Sequence, residues 1–208
     1  EDPDNMAEPT EKTEVYLTYD KKNLYVAARM YDSMPSDITQ QLTSRDDWWE
    51  GFDEMADWIT IDIDSRHDHQ TGFSFSVNAS GVVCDAMIYN DEKIDRDWNA
   101  IWRAEVEIDD LGWTIEMEIP FSNLSFYESD KLTWGLNITR FIQRNYETVT
   151  WVTFSQDVEG ITSKLGHVNG FEGIYPPAKF TFAPNFAGYT TIYNDIRLLK
   201  QYGESYEP

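Results

Sequence analysis

Two adjacent tryptophans, Trp48 and Trp49, stand inside a long, irregular, acidic stretch, residues 32–57, where neither has an obvious reason to be core. A flat indole face packs against the axial C–H groups of a pyranose. The sugar's hydroxyls then take hydrogen bonds from amides, guanidinium groups and carboxylates. Trp98 and Trp102, close behind Asp95-Arg96-Asp97, are candidates for the same work. Trp102 opens a strand, however, and a core role for that pair is the simpler reading. Trp58, Trp113 and Trp134 lie in apolar strands and are read as core. Arg140 shares a face with Trp134, Leu136 and Ile138, so its guanidinium needs a carboxylate, for which Glu116 and Asp85 are candidates. Otherwise it serves a ligand by bidentate hydrogen bonding.

A second constellation is acidic. Asp62 and Asp64 project from one face of a strand, Asp68 follows in the loop after it, and Asp57 lies just upstream. Hard carboxylate oxygens at such a turn suit Ca²⁺, although glycine and glutamate do not fall at EF-hand offsets. The competing reading is a solvated acidic loop. His67 and His69 sit two apart, but the remaining histidine, His167, is far along the chain, and no zinc spacing results. Met30, Met55 and Met87 show no spacing that favours haem ligation. Cys84 is the single cysteine, so an internal disulfide is excluded, and a small buried residue is expected. The sequons at Asn78 and Asn137 fall in or at strands and are discounted.

Hydrolytic chemistry finds little support. With 38 acidic residues a pair of carboxylates will always appear to fit, so such a pair carries no weight. The Gly-x-Ser-x-Gly elbow, the phosphate loop and the His-Glu-x-x-His helix are missing. The formal charge of −22 repels nucleic acid and anionic lipid, which are polyanions themselves. No run of 18 apolar residues offers a transmembrane helix.

The elements that must position these residues are short strands. Val15, Leu17 and Tyr19 alternate with polar neighbours, as do Leu24, Val26, Ala28 and Met30, and the turn Asp20-Lys21-Lys22-Asn23 makes them a hairpin. The same period of two recurs at Ile59-Ile61-Ile63, Phe73-Phe75-Val77, 82–89, 102–108, Trp113-Ile115-Met117-Ile119, 134–140 and 148–154. Residues 121–124 suit one helical turn. The expectation is an all-β, antiparallel β-sandwich, jelly-roll-like, of about eight to ten strands with short helical turns. Residues 1–12 read as a polar lead-in, 13–175 as the sandwich, and 176–208 as an aromatic-rich connector.

Several of these stretches, in order and spacing, resemble the family 9 carbohydrate-binding modules, in particular the version found at the front of bacterial outer-membrane proteins. The matching pieces are 13–20 running into 23–27, Asp57 to Asp64, Gly72 to Asn78 with Gly81, Trp98 to Trp102, Gly112 to Phe121, and Trp134 to Arg140. The usual first strand, ahead of Thr13-Glu14-Val15, is missing or reduced to residues 1–12, so the pairing of one sheet edge stays undecided by the sequence. The resemblance implies an antiparallel sandwich that binds an oligo- or polysaccharide without catalysis, with calcium as structural support. It also implies a place in the bacterial cell envelope (periplasm or outer membrane) or secretion. The parent protein would be associated with carbohydrate breakdown, and a covalent continuation into an outer-membrane barrel would follow residue 176. The alternatives are a structural or protein-interaction domain on the same scaffold and, third, a catalytic role associated with glycoside hydrolysis.

Overall fold

The computed structural model describes residues 7–153 and 159–176. Two antiparallel sheets face each other. The smaller is ordered β1 (Thr13–Tyr19), β2 (Asn23–Tyr31), β8 (Gly112–Pro120), β7 (Arg103–Asp109). The larger runs β10 (Glu147–Thr150), β9 (Leu132–Ile142), β3 (Trp58–Asp64), β4 (Gly72–Asn78), β5 (Val83–Tyr89), β6 (Lys93–Asp95), with β11 (Gly166–Phe171) also on β9. The expected antiparallel sandwich is what forms. Short β6 and β11 lack the alternation that marked the other strands, and they bring the described total to eleven. Single 3₁₀ turns, Phe121–Asn123 among them, join the strands.

Parity explains the core. Leu24, Val26, Ala28 and Met30 of β2, with Trp113, Ile115, Met117 and Ile119 of β8, point across to Ile59, Ile61 and Ile63 of β3 and Phe73, Phe75 and Val77 of β4. Burying side chains of this size stabilises by about 1.5–3 kcal/mol each. The β7–β8 hairpin demands glycine at 112. Its φ is 132°, and a Cβ would meet the Met30 carbonyl oxygen at 2.1 Å.

Among the described residues β1 pairs with β2 alone. Between β1 and the β9–β11 side lies a groove of about 880 Å³, with Val15, Leu17, Ile138 and Val168 on its walls. The connector expected from residue 176 onward falls outside the described residues, apart from Pro176 itself.

On its outer face the larger sheet is unusual. Thr60, Ser74, Ser76, Cys84 and Ala86 are all small, so the face is concave. Segment 39–57 folds over the Asn78 end and Thr162 closes on Gly72 at the other, and all seven residues of β4 are buried.

Candidate functional site

The loop that carries the tryptophans is held from beneath. Asn78, fully buried, donates from Nδ2 to the carbonyls of Gln41 and Gly51, at 2.8 and 2.7 Å. Its Oδ1 accepts from the amides of Ser80 and Val82, which completes the bonding capacity of the side chain. Arg45 donates to the buried Asp85 carboxylate, and the Asp46 amide donates to the Val83 carbonyl at 3.1 Å. An Asn so engaged is no glycosylation acceptor.

What the loop presents is a groove on the concave outer face. Its inner part, of about 190 Å³, is lined by Trp48, Trp58, Arg96 and Ile161 above a floor containing Thr60, Asp62 and Ser74. An adjoining hollow of about 170 Å³ adds Trp49, Phe52 and Asp53 and shares Trp48, Trp58, Thr60 and Arg96. The Arg96 guanidinium lies over the rings of both Trp48 and Trp49, 5.5 and 5.6 Å from their centroids. Trp48 rests on Phe52, with centroids 5.8 Å apart, and Trp49 is 70% exposed. Trp58 stacks on Phe141 at 5.6 Å and donates from Nε1 to the Asp53 carbonyl at 2.8 Å, which fixes its ring.

On the floor, the Ser74 hydroxyl donates to Asp62 Oδ1 at 2.6 Å. Burial pushes the Asp62 carboxyl up to about 6, against the lowering effect of that hydrogen bond. The wall near Ile161 is secured by Asp91. Burial alone would raise that carboxyl. Donors from Ser163, Thr162 and Ile161 outweigh burial and bring it down to about 2.

The sequence candidates separate cleanly. Trp48 and Trp49 are in the groove. Trp102 is core, 6% exposed, with its Nε1 donating to buried Asp85 at 2.9 Å. Trp98 packs on Phe73 and Phe75 at 5.2 and 6.1 Å, both residues of the inner face. Both pack against the inner face rather than lining the groove. Trp58, read as core, is a groove wall. Its parity is that of Thr60 and Asp62, opposite to Ile59 and Ile61, and that alternation was the signal. Arg96 could have been found only by its position beside the tryptophans in space.

Arg140 is 1% exposed, and its guanidinium donates to the carbonyls of Lys12 and Tyr31 and the hydroxyl of Thr13. Its carboxylate is Asp32, at 3.8 Å, rather than Glu116 or Asp85. Asp85 is taken by Arg45, Trp102 and the Ala100 amide. Arg140 thus ties the lead-in segment to β9, and those bonds leave it little to offer a ligand.

The four expected calcium ligands do not meet. Asp57 and Asp64 bracket β3, seven residues apart in sequence and so about 23 Å apart at the strand rise. Asp57 is buried and accepts the Thr39 amide at 2.8 Å. Asp64 accepts the amides of Asp68 and His69, and Asp68 those of Gln70 and Thr71. Asp62 faces the groove. Asp64 and Asp68 turn toward the loop's own amides and Asp62 toward Ser74, so the four carboxylates do not converge on one point.

Solved structures give the architecture a context. A proposed carbohydrate-binding protein from Bacteroides uniformis superposes with a TM-score of 0.61 at 12% identity, over 76% of this chain and 78% of that one. A family 9 carbohydrate-binding module from Caldicellulosiruptor kristjanssonii, in complex with cellotriose, gives 0.55 at 14% identity over 88% and 84%. The same organism's module in complex with glucose gives 0.56 at 14% over 85% and 83%. This chain has the fold of the family 9 carbohydrate-binding modules. At such identity the likeness is one of fold. No protein-family model matches the chain, and no curated protein does. No helix among the described residues is long and apolar enough to cross a membrane.

Proposed function

We propose that this family 9-like domain is a non-catalytic carbohydrate-binding module whose site is the groove of Trp48, Trp49, Trp58 and Arg96. One observation carries the reading: exposed and half-exposed indoles rim a concave floor of hydroxyls and one carboxylate. A sugar presents an apolar C–H face and a ring of hydroxyls. The indoles take the first, and Arg96, Asp62 and Thr60 meet the second. The groove's size suits one end or one short stretch of a glycan. The solved family 9 modules of the same fold hold cellotriose and glucose, which supports this reading.

The floor of the inner part supports binding rather than hydrolysis. Asp62 is the one acidic residue lining the inner part, and its close partner is Ser74. Hydrolysis of a glycosidic bond ordinarily uses two carboxylates flanking it. Within the bacterial envelope or outside the cell, such a domain would hold a larger protein at a glycan. A covalent continuation into an outer-membrane barrel would serve the same end.

The test is calorimetric titration of the chain with cellotriose and glucose, followed by a glycan array, beside Trp48→Ala and Trp49→Ala. Binding that both substitutions abolish places the site in this groove. A folded chain that binds no glycan on the array would turn the groove into a protein-docking surface instead.

A further inference from the structure

Three imidazoles that lie far apart in sequence converge in the fold. His67 and His69 occupy the turn between β3 and β4. His167 lies on β11, opposite Gly135 of β9. Nε2 of His67 stands 2.8 Å from Nδ1 of His167. The ring centroids of His67 and His69 are 4.7 Å apart, of His67 and His167 4.9 Å, and of His69 and His167 6.2 Å. None of the three lines the tryptophan groove.

The turn is built to bring the first two rings together. His67 and His69 both have left-handed backbones, with φ of 53° and 56°. A non-glycine residue is strained there, so the surroundings must enforce it. Asp64, buried and fixed at the end of β3, does so by accepting the His69 amide at 2.8 Å and the Asp68 amide at 3.3 Å. With the Asp64 carboxylate engaged by backbone, imidazole nitrogen is the main donor type in the cluster. Nitrogen donors select zinc-class ions over calcium or magnesium, which prefer oxygen.

We propose that His67, His69 and His167 form a site for a first-row divalent transition ion of the zinc class, with a further position left to water. As the rings stand, no group of three among the described residues has ligating geometry, and His67 and His167 are in hydrogen-bond contact instead. Two nitrogens on one tetrahedral zinc lie about 3.3 Å apart, given Zn–N near 2.0–2.1 Å. The pair therefore opens by about half an ångström, and the donor ring moves its proton to its other nitrogen. The rings reach solvent, so rotation is open to them. The chain's −22 formal charge concentrates cations around it.

Isothermal titration of the whole chain with zinc chloride, in a non-coordinating buffer at neutral pH, is the test. The expected result is one site of micromolar affinity that excess calcium chloride does not displace. His167→Ala and His167→Gln weaken it roughly tenfold to a hundredfold, with the circular dichroism spectrum unchanged. Equal zinc binding by the wild type and by the His67→Ala/His69→Ala/His167→Ala variant would overturn the proposal, since the acidic surface would then account for it. Failure of the wild type to bind zinc would overturn it equally. Neither result touches the glycan groove.

Discussion

Asn78, at the end of β4, donates its side-chain amide to the carbonyl of Gly51 at 2.7 Å, and so couples the sheet to the loop that bears the tryptophans. Gly51 itself has no room for a side chain, because a Cβ there would come within 2.4 Å of Thr43 Oγ1. The loop is therefore packed tightly on itself at this point, and buried Asn78 is one of the residues that tie it to the sheet.

Asn78→Ala removes four hydrogen bonds and leaves the buried carbonyls of Gln41 and Gly51 without those partners. A loss of about 2–4 kcal/mol is expected, read from urea denaturation. Glycan affinity should fall with it, because the indoles lose their support. Unchanged urea midpoints would contradict the role given to Asn78.

Cys84 offers a probe of the same coupling. It is buried in a small cluster with Phe52 and Val82, on which Trp48 and Trp58 pack. Burial, reinforced by the carboxylates of Asp46, Asp85 and Asp47, pushes its thiol up to about 12. Because the thiolate is the reactive form, the native protein should react with Ellman's reagent only slowly. Asn78→Ala should accelerate labelling, as the loop lifts more often. Fast labelling of the wild type would show that segment 39–57 does not cover the sheet as described.

Trp49 and Trp102 should behave in opposite ways. Trp49→Ala removes an exposed ring that stacks with Arg96, so stability should change by less than about 0.5 kcal/mol. Glycan affinity should fall about tenfold or more. Trp102→Ala empties a core position beside Phe75 and deprives Asp85 of a donor, and should cost about 3–5 kcal/mol. Paired thermal melts and calorimetry separate the two. A stability loss at Trp49 as large as that at Trp102 would remove it from the groove rim.

The strand alternation made the sandwich legible, since Ile59, Ile61 and Ile63, or Trp113 to Ile119, fit one buried face and nothing else. It also held more than was taken from it: the parity of Trp58 with Thr60 and Asp62 put it on the outer face. Short β6 and β11 were not legible, because three to six residues with exposed or glycine positions leave no period. The need of Arg140 for a carboxylate was legible but its partner was not, since sequence shows a charge among apolar neighbours but not Asp32 or the carbonyls it meets. The His67–His167 contact spans 100 residues and depends on how β11 returns to β9, which no local pattern records. The acidic run 57–68 looked like one metal site because sequence distance hides that an extended strand carries Asp57 and Asp64 far apart.

Asp62 gives the site a pH signature. Its carboxyl is raised from 3.8 to about 6 by burial, so between those values the folded chain holds a proton that the unfolded chain has released. This group therefore lowers stability as pH rises through that window. The penalty is complete above about pH 6 and vanishes below about pH 4. Asp62→Asn keeps the acceptor for Ser74 and removes the charge. It should raise stability by about 1–2 kcal/mol at pH 7.5, after allowance for the solvent that reaches the groove, and by nearly nothing at pH 4. In the binding reading, the same substitution should weaken glycan affinity at pH 7.5, where the ionised carboxylate accepts a sugar hydroxyl, and flatten its pH dependence. Thermal melts of both proteins at the two pH values decide the point. An offset that is the same at pH 4 and pH 7.5 would mean that Asp62 carries no raised carboxyl.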